Sequence, residues 1–242
     1  MLALQNVGRD FLGQWAVRNV SATWQAGQIV AILGANGAGK STLVRLIAGW
    51  IPLAVGQIRV DGIKLRTNAE AVRRKLMLLD EPPSATVPMI RMVLQAIADY
   101  RIDRPAVEAE VADWFERFDL TRLYPKEAAQ LSKGQRYKLA MTCLFVVRPQ
   151  IWLLDEPFSA GLDAAGLATL ETQLTAHARN GGLVLFTSQW PRHANRLATH
   201  AVVLHHGKIE YHKRMDDQTP VTVPPDCDAS LAAVLNGLNG HV

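Results

Sequence analysis

The run Gly34-Ala-Asn-Gly-Ala-Gly-Lys-Ser41 decides how this chain is read. It satisfies the phosphate-loop pattern G-x-x-x-x-G-K-[ST] at every fixed position, and its flanks are the ones that pattern requires. The preceding Gln28-Ile-Val-Ala-Ile-Leu33 is short, apolar and β-branched, which predicts a buried strand. The following Thr42-Leu-Val-Arg-Leu-Ile-Ala48 keeps its apolar residues on one helical face. Glycines 34, 37 and 39 let the backbone curl with its N–H groups pointing inward, making an anion nest. Gly34, Ala35, Asn36, Gly37, Ala38, Gly39, Lys40, Ser41 and Thr42 are therefore the candidate phosphate-binding residues. The helix N-terminus adds partial positive charge, Lys40 reaches the terminal phosphates, and the Ser41 hydroxyl is placed to ligate Mg²⁺. The sequence predicts binding of a nucleoside triphosphate.

A length of 242 residues suits one large domain or one domain with an inserted lobe. Hydrophobic residues at 49% and charged residues at 20% are enough for a substantial core. Cys143 and Cys227 give neither a disulfide framework nor a metal-type spacing, which suits a reducing compartment. The seven histidines form no ligand pattern in sequence, and His205-His206 reads as a solvated strand end. No basic segment precedes an apolar one at the start, and no uncharged run approaches membrane-spanning length, so the chain is expected neither to be secreted nor to span a membrane. The net charge of +4 is spread out, and no nucleic-acid partner is expected.

Strands are expected at Leu2–Val7, Val17–Trp24, Gln57–Val60 (an edge, with a turn at Asp61-Gly62) and Leu76–Leu79. From about residue 86 the pattern becomes helical. Met89, Met92, Val93 and Ile97 share one face, and Val107, Val111, Trp114, Phe115 and Phe118 form a second stripe behind Pro105. This predicts a helical lobe over about residues 83–148, inserted between strands. Ile151–Leu154 is the next strand, then a helix over 164–178, a strand at Leu183–Thr187, a short helix at 192–197, and a closing pair at 201–204 and 208–211. Strands alternating with helices predict an α/β domain over residues 1–212 with a mostly parallel central sheet. Residues 213–242 read as a short tail with one helix near 228–238 and no assigned function.

A second motif, Leu131-Ser-Lys-Gly-Gln135, resembles the signature sequence of ABC-type ATPases, usually Leu-Ser-Gly-Gly-Gln. Ser132 is suited to cap the helix that follows, so its hydroxyl and the N–H groups of 132–135 are expected to form a second anion site. Asp155-Glu156, ending an apolar strand, resembles the family's Walker B element. Ser159-Ala-Gly-Leu-Asp163 resembles its D-loop, and Phe11 lies where the family stacks an aromatic on adenine, with Trp15 nearby. The resemblance covers about residues 2–212. It implies a P-loop NTPase fold with an antiparallel β edge and an inserted helical subdomain. It also implies head-to-tail pairing, in which Ser132, Gly134 and Gln135 of one chain face the ATP held by the other. By the same resemblance Asp155 holds Mg²⁺, and Glu156 polarises the attacking water as general base.

Two positions depart from the family. Gln189 stands where a histidine is usual; its amide can donate to a γ-phosphate but cannot become cationic or relay a proton. At 78–85 the chain reads Leu-Leu-Asp-Glu-Pro-Pro-Ser-Ala, nearly repeating 153–160, where the family has a glutamine that joins Mg²⁺ to the helical lobe. Glu81, or else Asp80, takes that place and would bring an extra carboxylate to the metal, unless the turn is simply solvated. The resemblance implies the ATP-hydrolysing subunit of a transporter whose permease is a separate chain. The expected partners are that permease and a second ATP-binding subunit, identical or not, with the chain peripheral on the inner face of the membrane. LSKGQ-type signatures favour an exporter. The competing readings are a soluble ABC protein acting on nucleic acid or a protein assembly, and a binding module with a degenerate site.

Overall fold

The computed structural model describes residues 1–66, 69–80, 88–124, 126–216 and 228–239. In chain order the elements are β1 (Leu2–Phe11), β2 (Gln14–Trp24), β3 (Ile29–Leu33), α1 (Lys40–Ile47), β4 (Val55–Val60), β5 (Ile63–Lys64), α2 (Ala69–Arg73), β6 (Leu76–Leu79), α3 (Met89–Asp99), α4 (Arg104–Arg117) and α5 (Lys133–Val147). They continue with β7 (Ile151–Leu154), α6 (Ala164–Arg179), β8 (Leu183–Ser188), α7 (Pro191–Leu197), β9 (His200–His205), β10 (Lys208–Arg214) and α8 (Ala229–Gly237). The chain divides into two compact units. One comprises residues 1–78, 150–157 and 174–242; the other comprises 79–149 and 158–173.

The first unit carries both sheets. The larger has the order β10-β9-β3-β8-β7-β6, and β9, β3, β8 and β7 run parallel. Every residue of β3, β7 and β8 is buried, as strands covered on both faces require. The smaller sheet, β2-β1-β4-β5, is antiparallel. Helix α1 belongs to the core shared by both sheets: Leu43, Leu46 and Ile47 are fully buried beside Val7, Ile32 and Ile58. Each such side chain contributes about 1.5–3 kcal/mol. The α/β class, the mostly parallel sheet and the antiparallel edge match the sequence expectation.

Three expectations need correction. β4 is not an edge, because the two-residue β5 pairs beyond it through Arg59–Lys64 and Val60–Ile63. β1 does not stop at Val7. A bulge carrying Asn6 at φ 49° lets it continue to Phe11, opposite Gln14 of β2. His205 is not a solvated strand end; it contacts Asp228, the N-cap of α8. That helix belongs to the first unit, where the Asn195 amide donates to the Gly237 carbonyl at 2.9 Å.

Beneath α6 in this unit, the His177 ring stacks on Trp152 at 4.0 Å and its Nε2 lies 3.3 Å from the Gln150 carbonyl. Burial pulls the His177 pKa down from 6.5 to about 4. His193 is lowered to about 4 by burial and then by the charges of Arg192 and Arg196. A depressed folded-state value means the neutral rings stabilise the fold fully above pH 6.5, and this contribution is lost as the pH falls toward 4. The urea midpoint should therefore drop between pH 7 and pH 5. His177→Gln, which keeps a donor toward Gln150 but does not titrate, should remove about half of that slope. An unchanged slope would place the acid sensitivity elsewhere.

The second unit is built from α3, α4 and α5 with the start of α6. Trp114 of α4 stacks on Phe118 and packs at 4.9 Å against Phe145 of α5. Arg148, left-handed at the end of α5 with φ 47°, is paired with Glu110 of α4.

Candidate functional site

The sheet register brings together the candidate nucleotide-binding residues of the first unit. Leu33 pairs with Ser188, and Leu154 with Phe186, across adjacent parallel strands. The residues that follow, Gly34, Asp155-Glu156 and Gln189, therefore share the C-terminal edge of the sheet. Ligands of open parallel sheets bind at that edge.

The loop from 34 to 39 is shaped by close backbone approaches. A Cβ on Gly39, whose φ is 102°, would lie 2.2 Å from the Ala16 carbonyl oxygen, and one on Gly34 would lie 2.3 Å from that of Leu204. The Gly207 N–H donates to the Ala38 carbonyl at 3.0 Å, so the β9–β10 turn braces the loop from behind. Gly39 also opens α1 without a side-chain cap, leaving the first N–H groups for an anion.

Lys40 is buried, and its ammonium donates to the carbonyls of Gly34 (2.9 Å) and Ala35 (3.1 Å). It also lies 3.3 Å from Glu156 Oε1. That ion pair is not aligned as a hydrogen bond, and Oε1 is a buried acceptor with no hydrogen-bond donor among the described residues. Glu156 itself is left-handed at φ 46°, a conformation that costs a non-glycine residue about 1 kcal/mol. What holds it there is Thr187, which sequence reasoning missed. The fully buried Thr187 hydroxyl accepts from the Glu156 N–H at 2.8 Å and donates to Asp155 Oδ1 at 2.6 Å. One side chain thus sets both members of the acidic pair. Thr187→Val should leave the Glu156 N–H unpaired, cost about 1–3 kcal/mol in unfolding and lower ATP turnover by about tenfold or more. Thr187→Ser should preserve both. Turnover equal to wild type in the valine variant would remove Thr187 from the site.

Ser41 sits on the first turn of α1 beside Lys40, and Thr42 follows it. Gln189 is half-buried just past β8. Its neighbour Ser188 is 2.8 Å from His193 Nδ1, a ring that stays neutral at physiological pH because of its lowered pKa. Phe11 is exposed at the tip of the β1–β2 hairpin with the Arg9 guanidinium 5.0 Å over its ring. Phe11 pairs with Gln14 and Trp15 with Asp10, so the two aromatics lie on opposite faces of the ribbon. Glu81 lies outside the described residues, while Asp80 directly follows β6.

In the second unit, Ser132 caps α5 through a reciprocal box. Its hydroxyl accepts from the Gln135 N–H at 3.2 Å, and its own N–H donates to Gln135 Oε1 at 3.0 Å. This corrects the expected nest at 132–135: two of its four N–H groups are used internally, and the outward donors are those of Lys133 and Gly134. Gly134 abuts the 159–163 loop so closely that a Cβ would lie 2.3 Å from the Gly161 carbonyl oxygen. Lys138 reaches Asp163 at 2.7 Å and, with the Gly166 N–H, holds that carboxyl below its usual pKa. Signature and 159–163 loop are one packed structure, although 27 positions separate the two glycines.

Comparison with known proteins identifies the family. The profile of the family described as ABC transporter matches residues 17–159, more than half of the chain. The cytochrome c biogenesis ATP-binding export protein CcmA of Salmonella typhi is 33% identical over 174 residues, covering 72% of this chain and 82% of that protein. The ABC-type transporter ATP-binding protein EcsA of Bacillus subtilis is 27% identical over 212 residues, covering 86% and 85%. Among solved structures, an ATP-binding subunit of an ABC transporter superposes with a TM-score of 0.83 at 25% identity, covering 90% of this chain and 91% of the other. No described helix is long and apolar enough to cross a membrane. Phosphate loop, signature and acidic strand end fall in one matched span, and the chain belongs to the ABC transporter family.

Proposed function

We propose that this chain binds MgATP at residues 34–42, hydrolyses it with Glu156 as general base, and uses the cycle to drive a separate membrane permease. The observation that carries the reading is the group of Lys40, Asp155, Glu156 and Thr187 at the sheet edge, with one buried Glu156 oxygen free to accept a proton from water. Lys40 and the loop N–H groups would stabilise charge on the transferring phosphoryl group. The oxygen donors also fit Mg²⁺. Thr187 engages Asp155 Oδ1 and turns the carboxylate, while the Ser41 hydroxyl supplies a second hard ligand. When bound, the ion would offset phosphate charge. Glu81, which replaces the family's glutamine in sequence, would be a further carboxylate for the ion. Gln189 cannot take a proton and Asp155 is engaged by Thr187, which leaves Glu156 as the proposed base on this edge.

Two chains would pair head to tail, Ser132, Gly134 and Gln135 of each facing the nucleotide of the other and Phe11 stacking on adenine. The membrane permease as partner follows from the family, and export from the name that CcmA carries. The chain would then sit peripherally on the inner face of the membrane.

Sedimentation velocity of Glu156→Gln tests the pairing. The reading predicts a monomer without nucleotide and a dimer with ATP, reversed by Ser132→Arg, which fills the signature. A monomer at saturating ATP would refute the paired site.

A further inference from the structure

Three side chains that the nucleotide chemistry does not use converge behind the phosphate loop. β9 ends in His205, and the turn into β10 is His206-Gly207, with φ 45° and 77°. Asp228 caps α8, which reaches the same place from 22 residues further along the chain. His205 Nε2 lies 2.8 Å from Asp228 Oδ2, and His206 Nε2 lies 3.6 Å from the same oxygen. The ligand atoms of all three residues fall within 4.8 Å of one another. The other carboxylate oxygen, Oδ1, accepts from the N–H groups of Ser230 (2.9 Å) and Leu231 (3.0 Å) and from the Ser230 hydroxyl (2.6 Å). Those three bonds fix the carboxylate and aim Oδ2 at both imidazoles. Such anchoring of a ligand by its unused atoms is what metal sites require.

A helix cap with one histidine on it would account for His205. It does not account for the approach of His206, which is 82% exposed and still directs Nε2 to the same oxygen. Two imidazoles and one carboxylate are the donor set of a borderline divalent transition cation, and too nitrogen-rich for Mg²⁺ or Ca²⁺. Tetrahedral Zn²⁺, with bonds of about 2.0–2.1 Å, needs ligand atoms about 3.3 Å apart. Rotation of the exposed His206 ring closes the remaining gap. We infer that His205, His206 and Asp228 bind a zinc-class cation that clips α8 to the β9–β10 hairpin, with water completing the shell.

The position gives the clip a consequence. The Gly207 N–H in this same turn holds the Ala38 carbonyl of the phosphate loop, and the Leu204 carbonyl backs Gly34. A bound cation would tie the C-terminal helix to the turn that braces the nucleotide site.

The test is Zn²⁺ titration of the full 242-residue chain by calorimetry in a non-chelating buffer, with the Co²⁺ visible spectrum as a report on ligands. Two variants preserve the fold. His206→Asn places asparagine before Gly207 in a turn that favours Asn-Gly, and Asp228→Asn retains an N-cap. Wild type should take up one Zn²⁺ and melt higher with it, EDTA reversing the shift. Each variant should lose at least about tenfold in affinity and the thermal response, while melting like wild type in EDTA. Absence of Zn²⁺ binding by wild type, or equal affinity in both variants, would overturn the site. The second outcome would assign the ion to other histidines, such as the stacked His200 and His212.

Discussion

Replacing Glu156 with glutamine is expected to lower ATP turnover by about 10²–10⁴-fold while leaving ATP affinity equal or higher. The geometry gives both halves of this result. Glu156 Oε1 is buried, accepts no hydrogen bond among the described residues and faces the Lys40 ammonium at 3.3 Å. The amide fills the same space but cannot take a proton from water, so the chemical step slows. It also removes the negative charge that competes with phosphate for Lys40, whose remaining contacts are the neutral carbonyls of Gly34 and Ala35. Single-turnover hydrolysis and equilibrium binding of a fluorescent ATP analogue separate the two effects. Turnover within threefold of wild type would move the general base to another residue.

The second large effect is expected from a single methyl group in the helical unit. Gly134→Ala places a Cβ 2.3 Å from the Gly161 carbonyl oxygen and 3.2 Å from its carbon. Both are backbone atoms and cannot rotate away. Either the start of α5 or the 159–163 loop must shift by about 1 Å, a displacement that costs about 10²-fold in turnover when it misplaces a reacting partner. The overpacking should also lower the stability of that helical unit by about 1–3 kcal/mol. Nucleotide binding by the single chain should persist, because residues 34–42 belong to the other unit. Glu116→Gln, at an exposed position of α4, is the control and should change neither turnover nor melting. A fully active alanine variant would mean that the contact yields without cost.

How much of this was legible in sequence depends on how far apart the cooperating residues lie. The phosphate loop and the acidic pair are local: a fixed spacing, a strand before and a helix after suffice to read them. Thr187 was not legible, because its role comes from the register of β7 against β8 and its partners lie 31 and 32 positions away. Gly134 was read as part of an anion nest; its tightest constraint is steric and comes from Gly161. The same holds for His205, whose partner Asp228 is reached only after β10 and the segment behind it. In the smaller sheet, Gly8-Arg-Asp10 breaks the alternation of β1, yet pairing with β2 carries the strand to Phe11. There tertiary pairing overrides the local pattern.

The coupling to a membrane partner is tested most directly by purifying tagged Glu156→Gln with ATP present from detergent-solubilised native membranes and identifying what accompanies it. The account predicts a protein with several membrane spans in stoichiometric amount, retained with ATP and reduced when Ser132 is also changed to arginine. Recovery of soluble proteins alone, with the variant loaded with ATP, would contradict it.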